Sequence, residues 1–493
     1  MKQRQTVITM AVVLLLGATW ASAGGAGEGA ADVTPVVTAI HSVATTPADD
    51  NPVLEEIEAR TGIRYEVIAV PGADYITKFN SMIASRTVPD VFGVGTVADQ
   101  EKYRDNGLLL ALDELLDQHG PNILADKGHV IRNGINAEGT IWGIPRPGWY
   151  PNNFAFRTDW LDNLGLELPT DLDSLYEVLR ALTYDDPDGD GQQDTLGLGL
   201  YLRQRVCWGS IFAAFGIPAF YPIYQDGVVT SFLLHHNYLD AIRYYRRLYR
   251  EGLMEPDFAT LTALPTFEKL WNGIYGSFDF TAVGTTNNWI GRYTEDPIPT
   301  FDFALIKGPE GHGGSLAMYG TGITSVNATS GVAEAAVKLM DYFHTDDGNQ
   351  LLYFGIEGTY YRWLDKEAGE FEYLEPYHDS ATQRTAGGFI YWGLHRRMLG
   401  DAETLTMNPQ TRAALQMGLD NTIEDAFIFA TPPIQRDLGT TLTDLEYEAL
   451  ATLIATEGDL EAEYRRFVDR WLQEGGETWQ EQATEIYQRE RGL

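Results

Sequence analysis

The sequence predicts an α/β protein made of two successive regions in which strands and helices alternate. Three observations carry this. The chain has 493 residues, more than one domain of ordinary size holds. Hydrophobic residues make up 44% and charged residues 21%, a composition that supplies a core and argues against disorder. Short β-rich apolar runs alternate with helical patterns, and the rhythm resumes beyond a proline-rich stretch from Pro145 to Pro151.

Taken in order, 36–43 reads as a strand. Asn51-Pro52 opens a helix, with Asn as cap and Pro at the first helical position, and Gly62 closes it. A second strand follows at 64–70, a helix at 74–86 and a third strand at 90–94. That order implies a mostly parallel sheet covered on both faces. Helices are expected at 98–105 and 112–119, then strands at 140–144 and 154–157 around the proline-rich stretch, a natural place for the chain to cross between domains. In the second region, Thr170 with Asp173 suggests a capping box for a helix through Leu182. A strong helix runs over 237–251, with Leu239, Ile242, Tyr245 and Leu248 on one side and Gly252 after its end. Strands are expected at 276–281 and 322–326, helices at 332–343 and 348–354. A helical, charged C-terminal part starts at about Thr443, which forms a capping box with Glu446.

The first residues predict the compartment. Lys2 and Arg4 precede an apolar run from Val7 to Trp20, and Ala21-Ser22-Ala23 is an A-x-A cleavage site. Residues 1–23 therefore read as a cleavable secretory signal and 24–32 as a flexible lead-in. The apolar run is short for a membrane span, which takes about 20 residues. Loss of Lys2 and Arg4 with the signal moves the net charge from −35 to −37. So acidic a protein repels nucleic acid and anionic lipid. Cys207 is the only cysteine, so no internal disulfide forms, and no lipobox cysteine follows the signal. A free periplasmic protein, acting as a monomer, is the expectation, and Cys207 reads as a small buried apolar residue.

Two chemical signals stand out. Asp186, Asp188, Asp190, Gln192 and Asp194 fall at positions 1, 3, 5, 7 and 9 of a calcium loop, with Gly191 at position 6. A hard cation needs several oxygens at about 2.3–2.6 Å, and alternate residues of a tight loop supply them, Gln192 through its backbone carbonyl. Position 12, an acid in an EF-hand, is Gly197 here. The expected cofactor is a structural calcium ion, the alternative an acidic turn without metal. The second signal is aromatic abundance, with 11 Trp, 26 Tyr and 21 Phe. Sugars stack their C–H faces on flat rings while their hydroxyls seek planar polar partners. Candidate contacts are Trp149-Tyr150 with Asn152, Trp208, Phe280, Asn288-Trp289, Tyr360-Tyr361 with Trp363, and Tyr391-Trp392, although each ring is equally at home in a core. No H-E-x-x-H, G-x-S-x-G, P-loop or G-x-G-x-x-G is present, and adjacent His235 and His236 are expected on opposite sides of a strand.

Several segments resemble the family 1 extracellular solute-binding proteins, particularly the large oligosaccharide-binding subgroup that includes alginate receptors. These are Pro89-Asp90-Val91-Phe92, Gly139 through Arg146 (G-T-I-W-G-I-P-R), Phe156 through Leu161 with Leu164-Gly165-Leu166 and Pro169-Thr170, Tyr249 through Leu253 with Pro256-Asp257-Phe258, and Tyr353 through Gly358. They occur in family order over most of the chain. The acidic loop falls where that subgroup carries its calcium loop, but Thr195 stands where the subgroup has an acid.

The resemblance implies a type II periplasmic-binding-protein fold, with mixed sheets flanked by helices, an interlobe cleft and a hinge. It implies a receptor that catalyses nothing, captures a carbohydrate, most naturally an oligosaccharide, and delivers it to the permease of an ABC importer. Lobe 1 would hold 33–150 with about 320–358, and lobe 2 151–319 with about 359–493. Crossings are expected near 148–152, 318–322 and 358–362. Tyr150, Asn152 and Phe280 should approach the cleft, followed by Trp208, Trp289, Tyr360, Trp363 and Trp392. Arg146, Arg203, Arg205, Arg362 and Arg396 are available should the sugar be anionic. A peptide or other polar solute is the alternative cargo, and a secreted polysaccharide-degrading enzyme the alternative class.

Overall fold

The computed structural model describes residues 34–491 except 44, 49, 135–139, 147–150, 317–321, 379, 390, 398–401, 424–425 and 427–431. Tyr150 of the expected site, the signal segment and the whole lead-in lie outside the described residues.

The first sheet has five strands, in the order Arg64–Pro71, Val36–Val43, Val91–Val94, Ile323–Val326 and Ile144–Pro145. The strand Val36–Val43 pairs parallel with Arg64–Pro71, from Val36 opposite Arg64 to Val43 opposite Pro71, and parallel with Val91–Val94. The returning strand Ile323–Val326 is wedged between Val91–Val94 and Ile144–Pro145 and runs antiparallel to both. Alternation sends Val37, Ala39 and Val91 into one core and Ile40, Phe92 and Val94 into another, so both faces are buried, as a sheet of βαβ units requires.

Local signals place the covering helices. Asn51 caps Pro52–Thr61 by accepting the Leu54 N–H, and Gly62 at φ +67° closes it. Thr96 caps Val97–Asp105, and Thr345 caps Asp346–Phe354. Tyr75–Ser85 ends at Arg86 in the left-handed region, φ +58°.

The second sheet has the order Phe301–Ala304, Asn152–Arg157, Tyr275–Thr281, Leu196–Gly199. The first three strands pair antiparallel and the last joins Tyr275–Thr281 in parallel. Helix Leu172–Tyr184 packs on it, but its capping box lies one residue later than expected. Asp171 accepts from Ser174 N at 2.8 Å, and the Ser174 hydroxyl accepts from Asp171 N at 3.1 Å. Tyr238–Arg250 is helical as read and buries Ile242, Tyr245 and Leu248.

Two expectations about the C-terminal part are corrected. Helix Gln435–Ala455 begins eight residues before Thr443 and runs through it. Its Glu446 carboxylate accepts from the Ser231 hydroxyl across the core instead of capping a helix start. The segment after 358 does not pass at once to the second core. Tyr360, Tyr361, Tyr391 and Ala402 pack into the first, whereas Met407 already packs on Val283 and Thr411 bonds Thr286, before Ala414 joins the second core. The third crossing therefore falls between 402 and 407, not near 358–362. The reason is the hairpin of Tyr361–Asp365 with Glu370–Tyr373, whose Tyr361, Trp363 and Phe371 rings cluster on Phe354. Among the described residues no helix is long and apolar enough to cross a membrane.

Candidate ligand cleft and acidic loop

The chain leaves the first sheet after Pro145 and re-enters it at Ile323. Ile144–Pro145 runs the same way as Val91–Val94, so the crossing side is where the parallel strands end. In the second sheet Asn152 stands opposite Thr281, so Tyr275–Thr281 and its parallel neighbour also end on the crossing side. Both sheets turn the carboxyl ends of their parallel strands toward the crossings, which is where ligands bind in open α/β sheets.

Asn152, first on the second sheet, has no exposed surface. Its amide nitrogen donates to the Asp279 carboxylate at 2.7 Å and to the Ser210 hydroxyl at 3.0 Å, and its amide oxygen accepts from Leu316 N at 2.6 Å. Its backbone carbonyl accepts from the Ser315 hydroxyl at 2.7 Å. Asn152 thus joins the strand that starts after the first crossing to the strand that ends before the second, with its side chain enclosed among protein partners. Asp279 accepts from Ser210 N at 2.7 Å as well. Burial pushes its carboxyl up to about 7, against the downward pull of the Asn152 and Ser210 donors. Sequence reading missed Asp279 and Ser210, since nothing local marks a lone Asp in an apolar strand as the centre of a network.

Phe280 and Trp289 come together at the crossing edge. Their rings stack with centroids 4.8 Å apart and planes 26° from parallel. Phe267 lies 4.6 Å from Trp289, and Trp271 completes the cluster at 6.0 Å. Phe280 is 8% exposed and Trp289 is half-buried, so the cluster shows part of one edge.

The other expected contacts separate from this pair. Trp208 has no exposed surface. Its indole donates to the Tyr201 carbonyl at 3.2 Å, and it packs on Tyr245 and Phe258. Tyr360 is equally buried, stacked on Tyr377 at 4.0 Å with its hydroxyl on the Ala386 carbonyl. Both are core residues, because a ring without exposed surface stacks on nothing outside the core. Trp363 is half-buried on the 361–373 hairpin. Trp392 begins a short helical turn, Trp392–Leu394. His235 and His236 follow a turn, not a strand, and their rings stack at 4.2 Å.

In the acidic loop, one oxygen each of Asp186, Asp188 and Asp190 lie within 4.8 Å of one another. Asp186 accepts from Gly191 N at 3.1 Å, and Asp190 accepts from the backbone and side-chain nitrogens of Gln192 at 2.7 Å each. Gly191 has φ +80°, the sharp turn the spacing demanded. Desolvation, then the charge of Asp190 and Asp194, raises the Asp188 carboxyl. Three convergent carboxylates fit a hard cation. Asp194, expected as a further ligand, does not join the trio, and the Gln192 side-chain amide donates to Asp190. Thr195 and Gly197, where acids would be expected, instead dock the loop's end on helix Leu172–Tyr184, through Thr195 Oγ1 to the Leu182 carbonyl and Gly197 N to the Thr183 hydroxyl.

Comparison with known proteins places this architecture. The chain is 29% identical over 267 residues to lipoprotein LipO of Bacillus subtilis, covering 53% of this chain and 52% of that protein. It is 27% identical over 320 residues to the polygalacturonan/rhamnogalacturonan-binding protein YtcQ of the same organism, covering 62% and 63%. The chain therefore spans less than two thirds of the length of these curated relatives. Its fold superposes on the EF-hand mutant of the Streptococcus pneumoniae ABC-transporter substrate-binding protein FusA, in complex with fructo-nystose. There the TM-score is 0.64 at 18% identity, over 93% of this chain and 99% of that one. The profile of the bacterial extracellular solute-binding proteins matches residues 43–350, more than half of the chain. A profile match of that extent, on a chain whose two sheets exchange strands across paired crossings, means that this protein belongs to the bacterial extracellular solute-binding protein family.

Proposed function

We propose that the protein is an extracytoplasmic receptor that captures a carbohydrate, most naturally an oligosaccharide, between its two lobes and hands it to the permease of an ABC importer. The observation that carries this reading is the stacked Phe280–Trp289 pair at the crossing edge of the second sheet, inside a two-lobed binding-protein fold. An aromatic pair that keeps part of its surface at the crossing edge suits the apolar C–H faces of sugar rings. The relatives support it, since YtcQ is named for pectic polymers and FusA is seen with a fructan. Tyr150, Asn288 and Trp392 belong to the proposed site by their positions in the chain. Asn152 belongs to it as the joint that holds both crossing strands in place.

Closure is a hinge motion, and the ligand favours the closed state because it touches both lobes only there. Residues 1–23 direct export, and the mature protein works as a free periplasmic monomer. Calcium sits in the 186–190 carboxylate trio as a structural ion, supplying the positive charge that lets three carboxylates converge. FusA, for which an EF-hand mutant exists, supports this assignment. The test is thermal unfolding of the mature protein against neutral and acidic oligosaccharides and, as controls, peptides. Ligand at 100 times its dissociation constant stabilises by about 2.7 kcal/mol, a shift of a few degrees. A shift with sugars supports the reading, whereas a shift with peptides alone overturns it.

A further inference from the structure

The first-lobe side of the cleft holds a cation with no counter-charge among the described residues. Arg146 follows the strand Ile144–Pro145 on the crossing side, and its backbone N–H donates to the Gly322 carbonyl at 2.8 Å. The guanidinium lies between two glycines. A Cβ on Gly322 would stand 2.5 Å from Nη2, and one on Gly93 3.5 Å from Nη1. At Gly322 any side chain would displace the guanidinium from this seat.

The half-buried guanidinium makes one hydrogen bond among the described residues, from Nη2 to the Val94 carbonyl at 3.2 Å. Its Nε is buried without a partner. The groups that face it are Tyr75, His41 and His395. Tyr75 exchanges hydrogen bonds with the Gly93 backbone, and burial lifts its hydroxyl to about 12. Burial, then Arg146 itself, lowers His41 to about 3, and burial also holds His395 well below its ordinary value. All three are uncharged near neutral pH. Of the other arginines considered, Arg203 pairs with Asp444, Arg362 with Glu372 and Arg396 with Glu403, while Arg205 is coupled to Glu446. Among these five arginines, Arg146 is the one with no carboxylate beside it among the described residues. A partly buried charge with no partner is costly, and what repays the cost at a binding edge is an oppositely charged ligand.

We propose that Arg146 is the anion-binding residue of the cleft and that the carbohydrate it receives carries a carboxylate, as a uronic-acid oligosaccharide does. This rests on the carbohydrate reading above. The free Nη1 edge of a planar guanidinium offers a carboxylate directed hydrogen bonds that no lysine reproduces.

The experiment is calorimetric titration of the mature protein with galacturonate, mannuronate and glucuronate oligosaccharides, with their carboxyl-reduced neutral counterparts, and with inorganic phosphate. The wild type should bind at least one uronate oligosaccharide tenfold or more tighter than its neutral counterpart, and phosphate weakly or not at all. Arg146→Gln should weaken uronate binding at least tenfold more than it weakens binding of the neutral counterpart, and Arg146→Lys should keep part of the preference. Because the cation has no carboxylate partner among the described residues and one hydrogen bond, to the Val94 carbonyl, Arg146→Gln should also melt within a few degrees of the wild type. Binding of neutral sugars in preference to every uronate overturns the inference while the carbohydrate reading stands. Equal weakening of neutral and acidic ligands, or a fall of several degrees in melting temperature, makes Arg146 structural and overturns it too. Binding of no sugar at all removes both.

Discussion

At the residue scale, two tryptophans have opposite expected behaviour. Trp208 has no exposed surface and packs on Tyr245 and Phe258. Truncating so large a buried ring typically costs about 3–5 kcal/mol. Trp289 is half-buried and stacks on Phe280. Trp208→Ala should therefore lower the urea midpoint strongly while the folded fraction keeps its affinity, whereas Trp289→Ala should weaken ligand binding tenfold or more with a smaller loss of stability. The reverse pattern in paired unfolding and titration curves would remove Trp289 from the site. Sequence composition could not separate the two, because exposure is a property of the whole fold.

Glu446 carries a residue-scale pH prediction. It is half-buried, accepts from the Ser231 hydroxyl at 2.5 Å, and desolvation pushes its carboxyl up to about 7, partly offset by the Ser231 hydrogen bond and then by Arg205. In the unfolded chain a glutamate titrates near 4.3. Between these values the folded state holds a proton that the unfolded state has lost, so this group makes stability fall as pH rises from about 4 to about 7. Above pH 7 the loss is complete. Glu446→Gln should flatten the stability–pH curve between about pH 5 and 7.5, read by denaturant unfolding at several pH values. An unchanged slope would show that Glu446 stays ionised in the fold.

At the element scale, the helix caps were readable because a cap acts on the four free N–H groups of its own helix. Asn51, Gly62 and the body of Tyr238–Arg250 were all plain in the sequence. The failures have a local cause. Thr170 and Asp171 both precede an apolar run, and Asp171 wins the capping position with Ser174 as its reciprocal partner. Thr443 with Glu446 looks like a helix start, yet the helix continues because Leu442, Leu445, Ala449 and Leu450 are buried along it. The acidic loop was legible as spacing. That three carboxylates meet while Gln192 turns to Asp190 and Asp194 stays out of the trio was not. If calcium holds the trio together, EDTA lowers the melting temperature and Asp188→Ala abolishes the sensitivity. Absence of calcium from metal analysis, with no EDTA effect, leaves only an acidic turn.

At the scale of the whole molecule, net charge opposes the proposed ligand. The chain carries −35, which at long range repels an anion approaching the cleft. Contact with Arg146 acts only at close range. Salt screens the first effect more than the second, since exposed charges are shielded beyond about 8 Å at physiological ionic strength. The association rate of a uronate oligosaccharide should thus rise with added salt, measured by stopped-flow fluorescence of the cleft tryptophans. A rate that falls steeply with salt would mean that a positive local field dominates the approach.

The sequence by itself determined the class of fold, the first sheet's parallel strands, most helix ends, the acidic loop and the family, because each of these is written in residues close together in the chain. Only the tertiary structure decided which aromatic rings are core and which reach an edge, that Asn152 is spent on Asp279, Ser210 and Leu316, and that the third crossing waits until after Ala402. Those outcomes depend on partners many residues away, such as Asp279, 127 positions from Asn152. A pattern with a period of two or 3.6 residues records which side of an element is buried. It carries no record of what that side meets.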